Sequence, residues 1–283
     1  MKKLIALMMT MMLAVACTFA FTACGVSDGS DNEKGKFTVV TNCPFGNYEY
    51  IGDDGKIYGI DIELAGLFAK ENNLDLVVKN IDFDAIFTQV EAGYADAGMA
   101  GITVTEERKK IYDFSDTYCK ASQKLIVLES NTDFDGLTEA SAVEAKLAAL
   151  TGKKIGYQTG TTGGMYIVGD EDFGFDGFKN IEGKNYDTAV LAVEDMLNGN
   201  LYAVVVDEGP ANSIVASKQG VKVVDVKLTD EEYAFVIKKG NTELQTKFNA
   251  FLTKVKADGT YNAIEAKYYQ NIGEKVGYDL FVG

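Results

Sequence analysis

Two stretches of this chain run through the same alternation of elements, and that repetition narrows the folds open to it. "KFTVV" (36–40) is a short β-branched run that predicts a strand. In "IDIELAGLFAKENN" (60–73) the apolar residues at 60, 64, 67 and 68 fall at helix spacing. "LDLVVKNI" (74–81) alternates as a strand does, "FDAIFTQVEAGY" (83–94) is helical, and "ADAGMAGI" (95–102) has the small apolar character of a buried strand. That order predicts a parallel sheet joined by crossover helices. The pattern restarts at "KKIGYQTGTTGGMYIV" (153–168), which reads as strand, Gly/Thr turn and helix. "DTAVLAVEDMLNGN" (187–200) follows as a helix with Asp187 at its N-cap and Gly199 at its C-terminal end. "LYAVVVDEG" (201–209) and "VKVVDV" (221–226) are strands, and 241–270 forms two helices broken at Asp258-Gly259. Two such units predict two lobes with a cleft between them.

Composition removes several classes of function. At 283 residues and 47% hydrophobic, the chain can bury one large or two smaller cores. It has no histidine, which excludes Ser-His-Asp and Cys-His catalysis and the usual zinc ligands. A net charge of −15 argues against a nucleic-acid partner, since phosphates need a basic patch. No metal or cofactor is expected.

The first residues read as an export signal. "MKKLIALMMTMMLAVACTFAFTAC" begins with Lys2 and Lys3 and continues uncharged to Cys24; "GVSDGSDNEKGK" then forms a small, polar linker. The apolar run is also long enough for an uncleaved membrane helix. "FTAC" resembles the bacterial lipobox, whose cysteine is lipidated, with Phe21 standing where leucine is usual; "AVAC", ending at Cys17, is the weaker match. Either reading places the body outside the cytoplasm. The expected division is 1–23 signal peptide, 24–35 lipidated tether, 36–122 first lobe, 123–232 second lobe, and 233–283 a return to the first. Cys43 and Cys119 remain in the body; they are either a disulfide or two separate small buried residues.

In parallel sheets, ligands bind beyond the carboxyl ends of strands, near helix N-termini. Three strands here end in polar turns: "TVTEER", "QTGTTGG" and "VDEG". The first raises a question about Arg108. It is either a surface charge beside Lys109 and Lys110, on a helix capped by Thr105, or part of an anion clamp.

Five segments in register bear on that choice: "KFTVVTNCPFGNYEYIGDDGKIYGIDIELAGLFAKE", "DFDAIFTQVEAGYADAGMAGITVTEERKKIYDFSDTY", "GKKIGYQTGTTGG", "AVVVDEGPA" and "VKADGTYNAIEAKYY". Together they resemble the polar amino-acid solute-binding proteins of ABC importers, family 3 of the bacterial extracellular solute-binding proteins. The likeness covers nearly all of residues 36–270. It implies an α/β, two-lobe periplasmic-binding-protein-like fold of type II, each lobe a mostly parallel sheet flanked by helices, with a two-strand hinge.

The resemblance also implies roles. Arg108 grips the ligand carboxylate with its planar fork; Thr103 shares that carboxylate through its hydroxyl and N–H; the Gly101 carbonyl accepts from the ammonium. Thr161 and Thr162 offer N–H groups from the second lobe, and Asp207 pairs with the ammonium. Phe83 and Phe45 sandwich the ligand side chain, and Tyr48 lines the mouth. Asn42 stands where relatives that read cationic side chains usually carry aspartate, and Gln158 and Val206 are also uncharged, so a neutral or polar uncharged amino acid is expected. The insertion "SNTDFDGLTEASAVEAKLAALT" (130–151) contains an amphipathic helix without an assigned role.

The expected working is a monomeric, lipid-anchored receptor that leaves its first lobe near 120–124 and returns near 229–235. It closes on the ligand and docks on a membrane permease. The rivals are an enzyme of the cyclohexadienyl dehydratase kind, with Glu49, Asp82, Asp84 and Glu208 as candidate acids near the cleft, and a non-transport sensor domain.

Overall fold

The structure, a computed structural model, describes residues 34–171 and 174–270; the expected signal peptide, most of the tether including Cys24, and the last 13 residues lie outside it. The chain opens with β1 (Gly35–Thr41), the short pair β2 (Tyr50–Ile51) and β3 (Ile57–Tyr58), then α1 (Ile60–Glu71), β4 (Leu74–Asn80), α2 (Phe83–Glu91) and β5 (Ala97–Gly98). Only two residues of the small-residue run 95–102 pair as a strand. The small size has a packing cause: a Cβ on Gly98 would lie 2.5 Å from Ile86 and 2.6 Å from Val236. α3 (Glu106–Ile111) and β6 (Tyr112–Phe114) complete the first pass through this lobe.

β7 (Cys119–Ala121) leads out of the first lobe, and β8 (Gln123–Leu128) enters the second sheet. There follow α4 (Ala140–Ala149), β9 (Lys153–Gln158), α5 (Thr162–Val168), β10 (Ile181–Tyr186), α6 (Ala189–Leu197), β11 (Ala203–Asp207), α7 (Glu208–Ser217) and β12 (Val221–Val224). The return runs through β13 (Glu231–Tyr233) to β14 (Val236–Lys238), α8 (Thr242–Ala257) and α9 (Thr260–Gln270). β7 and β13 pair antiparallel, Glu231 opposite Ala121 and Tyr233 opposite Cys119, so the two crossings form one narrow ribbon.

The two five-stranded sheets have the orders β4-β1-β5-β14-β6 and β10-β9-β11-β8-β12. In each, one strand runs against the other four, and it is the first strand after a crossing between lobes: β14 in the first, β8 in the second. Because both faces are covered, the central strands β8 and β11 of the second lobe carry continuous apolar runs. Leu125, Val127 and Val205 pack on one side and Ile126, Val204 and Val206 on the other. The first lobe is held by aromatics: Phe68 and Phe248 stack at 4.2 Å between centroids, with Phe235 5.2 Å from Phe248.

Local chemistry sets the element ends. α6 is capped by Thr188, whose hydroxyl accepts from Leu191 N at 3.3 Å, one residue beyond the expected Asp187. α8 starts at Asn241, whose side chain accepts from Leu244 N. It stops before Gly259, whose φ of 81° favours glycine. The 130–151 insertion has a packing role: Phe134, and Val143 and Leu147 of α4, are buried against one face of the second sheet. Cys43 and Cys119 are both free thiols, so the disulfide reading is set aside in favour of two separate residues. Among the described residues no helix is long and apolar enough to cross a membrane.

Candidate ligand-binding site

The carboxyl ends of four strands, two from each lobe, meet at the cleft. β5 leads through Gly101 and Thr103 to α3, where Thr105 caps the helix by accepting from Arg108 N at 3.1 Å. Its partner in topology, β11, ends in Asp207. β1 leads to Asn42 and Phe45, and β9 ends in Gln158 just before the turn carrying Thr161 and Thr162.

Arg108 is only 6% exposed, which rules out the surface-charge reading. One guanidinium nitrogen donates to Thr103 O at 2.6 Å, and the other reaches across the cleft to Gly160 O at 2.9 Å. The guanidinium carbon lies 4.7 Å from the Phe87 ring centroid and 5.7 Å from that of Phe83. Burial pulls the Arg108 pKa down to about 10, with Glu231 and Asp207 opposing, so the group is cationic at neutral pH. Burial, with Glu231's charge adding, pushes the Asp207 carboxyl up to about 7; its Oδ1 accepts from Tyr233 Oη.

A small pocket lies between these charges. Gly101, Thr103, Arg108, Phe45 and Phe83 line it from the first lobe, and Thr161, Thr162 and Asp207 from the second. Gly101 has a φ of 54°, and a Cβ there would lie 2.4 Å from the Phe45 ring, so only glycine lets that ring close over the backbone. A second small cavity shares Phe45 with the first. Tyr50, Gln158, Val190 and Ile214 are among its walls, and none of its lining residues is charged. A larger groove along 103–117 and 230–232 is a broad, open surface, with its lysines paired to acids, Lys109 to Glu106 and Lys239 to Asp113.

Three expected residues sit differently from the sequence reading. Asn42 lines neither cavity: its Oδ1 accepts from Gln158 Nε2 at 2.7 Å, its Nδ2 donates to Ile81 O, and the first of these bonds ties the lobes together. Tyr48 does not line the mouth. It is buried behind Phe45, edge-on to Tyr233, with its hydroxyl bonded to Cys119 Sγ and Tyr269 Oη. The Thr103 hydroxyl donates to Glu231 Oε2 at 2.6 Å, so its proton is not directed at a ligand carboxylate.

The candidate acids also separate. Glu49 is wholly buried in the first lobe, with no hydrogen-bond partner for either carboxyl oxygen, and burial, reinforced by Asp61, holds its pKa well above the usual range. Glu208 faces Lys124 at 3.4 Å and Lys227 at 3.5 Å. Asp82 and Asp84 are exposed.

Sequence reasoning missed Glu231. Its Oε2 accepts from Thr103 and, at 2.8 Å, from Thr162 of the other lobe; its Oε1 accepts from Thr229 at 2.6 Å. Gln123, also missed, donates from Nε2 to Thr162 Oγ1 at 3.1 Å. The available signal was period-2 patterning in "EEYAFV": Glu231 falls on the same face as Tyr233, and both are buried while Glu232 is exposed.

Residues 37–271 match the family model for bacterial extracellular solute-binding proteins, family 3. The chain is 29% identical to a protein of Neisseria gonorrhoeae named probable histidine-binding protein, over 92% of this chain and 95% of that one. It is 30% identical to the arginine-binding extracellular protein ArtP of Bacillus subtilis, over 94% and 98%. Among solved structures, an ancestral arginine-binding protein bound to glutamine superposes with a TM-score of 0.72 at 33% identity, covering 83% of this chain and 98% of that one. With its two lobes, paired crossings and enclosed cleft, this chain belongs to the bacterial extracellular solute-binding proteins, family 3.

Proposed function

We propose that this protein is the extracytoplasmic binding component of an amino-acid ABC importer, a receptor whose two lobes close on one L-amino acid with an uncharged side chain. One observation carries the reading: a buried guanidinium and a buried carboxylate line the same small cavity from opposite lobes. That pair is complementary to the carboxylate and ammonium of a zwitterion. A planar guanidinium fork matches a carboxylate, and Asp207 supplies the counter-charge for an ammonium. Closure follows from the same arrangement, because only with the lobes together are both halves of the contact made. The ribbon of β7 and β13 is the joint about which the lobes move.

The related proteins support the amino-acid class but pull in two directions on the side chain. The names of the Neisseria and Bacillus proteins point to histidine and arginine, whereas the ancestral structure holds glutamine. We favour a neutral or polar uncharged side chain because no charged residue lines the second cavity and the Asn42 side chain is committed to Gln158 and Ile81. A buried cation without a partner is costly. Lipidation at Cys24 after export anchors the monomeric receptor to the membrane, where it delivers its ligand to a permease. No bond of the ligand is broken in this reading.

A thermal-shift screen of residues 26–283 against the twenty L-amino acids, cystine and prephenate tests it. A ligand at 100-fold over its Kd adds about 2.7 kcal/mol of stability. A rise with one or a few uncharged amino acids is expected. A rise with arginine or lysine alone contradicts the side-chain reading, and consumption of prephenate with no amino acid bound contradicts the receptor reading.

A further inference from the structure

A threonine hydroxyl beside a ligand is ordinarily free to turn, donating to a carboxylate or accepting from an ammonium. Thr103 and Thr162 lack that freedom. Each has one hydroxyl proton, and both direct it at Oε2 of Glu231, at 2.6 and 2.8 Å. Glu231 is 5% exposed and sits on the connecting ribbon, opposite Ala121. An ionised carboxylate only accepts, so it takes both protons and returns none. Thr162 is held in the same sense from its other side, accepting from Gln123 Nε2. What the two hydroxyls keep for the cavity they line is lone pairs. Asp207 lines the same cavity and brings a third acceptor, itself held by the Tyr233 hydroxyl.

We infer that Glu231 is a positioning residue for the ligand's amino group: acting through Thr103 and Thr162, it turns their oxygens into acceptors and sets the preference for an α-amino acid over the same acid lacking its amine. The inference rests on the amino-acid reading above and assigns no ligand contact to Glu231 itself. Thr103 then contributes its hydroxyl to the ammonium, and recognition of the carboxylate falls to Arg108 and to backbone N–H groups. A glutamine at 231 reverses the effect, because its amide can donate to the threonine oxygens and free their protons to turn toward the cleft.

The test uses the purified full-length protein. The twenty L-amino acids are first screened by thermal shift. The one giving the largest rise, and its counterpart lacking the α-amino group, are then titrated calorimetrically into wild type, Glu231→Gln and Thr103→Val. In Glu231→Gln, amino-acid affinity is expected to fall about tenfold or more, the scale of a hydrogen bond to a charged group, while the des-amino acid binds as well as before or better. Thr103→Val serves as the second variant should Glu231→Gln not fold, and it is expected to weaken the amino acid and spare the des-amino acid. Equal losses for both ligands, or no change in either, overturn the inference and leave the receptor standing. If no amino acid raises the melting temperature of wild type, the receptor reading falls and takes this inference with it.

Discussion

The third strand of each sheet ends at the cleft, yet the two lobes put opposite charges there. In the first lobe β5 leads to Gly101, Thr103 and then Arg108; in the second, β11 ends in Asp207. The strands beside them mirror one another as well. β1 delivers Asn42 and β9 delivers Gln158, and the two bond across the gap. One topology, used twice, therefore brings two opposite charges to one small pocket and two amides to a bond between the lobes, and the identity of the charged pair decides what the pocket recognises. The lobes differ again in what they bury away from the cleft. The first encloses Glu49 and Asp61, both fully buried, within an aromatic core, while the second is mostly aliphatic. The cleft contrast concerns recognition, and the core contrast concerns stability against pH.

The sharpest way to break the cleft comparison is Arg108→Ala. It leaves the ligand carboxylate without its cationic partner and is expected to cost about 2–5 kcal/mol of binding, read by calorimetry on the best amino acid. Asp207→Asn removes the opposite charge and should cost somewhat less, about 1.5–3 kcal/mol, the scale of a hydrogen bond to a charged group. If either variant binds as wild type does, the two lobes do not divide the zwitterion between them.

The comparison sharpens with pH. Asp207, raised to about 7 in the ligand-free protein, must be ionised to hold an ammonium. Affinity should be flat above about pH 7 and fall as pH drops below it, by at most about tenfold per unit because one proton is displaced. Asp207→Asn should flatten that profile.

The smallest effect concerns the first lobe's buried acids. Burial raises Asp61 to about 6, even though Tyr118 Oη and Gly101 N donate to it, and burial with Asp61's charge holds Glu49 well above the usual range. A carboxyl whose folded pKa is raised binds its proton more tightly in the native state. Its stabilising contribution is present at low pH and is lost as pH rises through the folded value. The ligand-free protein should therefore melt higher at pH 5.5 than at pH 7.5. Glu49→Gln should reduce that slope, changing stability by on the order of 1 kcal/mol or less.

The strands and helices around the cleft were largely legible, because a parallel sheet imposes apolar runs and its crossover helices impose a 3.6-residue period. Arg108 and Asp207 stood out through the turns that follow β5 and β11. What the sequence hid were contacts fixed by tertiary closure. Nothing local to "TDEEY" says that Glu231 will meet a threonine 128 positions earlier and another 69 positions earlier. Tyr48 was misplaced for a similar reason: its neighbours Tyr233 and Tyr269 come from the returning chain, and they draw it behind Phe45 rather than into the cleft. β5 was overextended because small residues read as a strand, whereas here they make room for Ile86 and Val236.

The most direct test of the central claim, that each lobe holds one end of a single ligand, is small-angle X-ray scattering with and without the amino acid found in the thermal screen. The account predicts a smaller radius of gyration on binding for the wild type and no contraction for Arg108→Ala at the same ligand concentration. Binding with an unchanged radius in the wild type would show that one lobe holds the ligand alone, and would contradict the account.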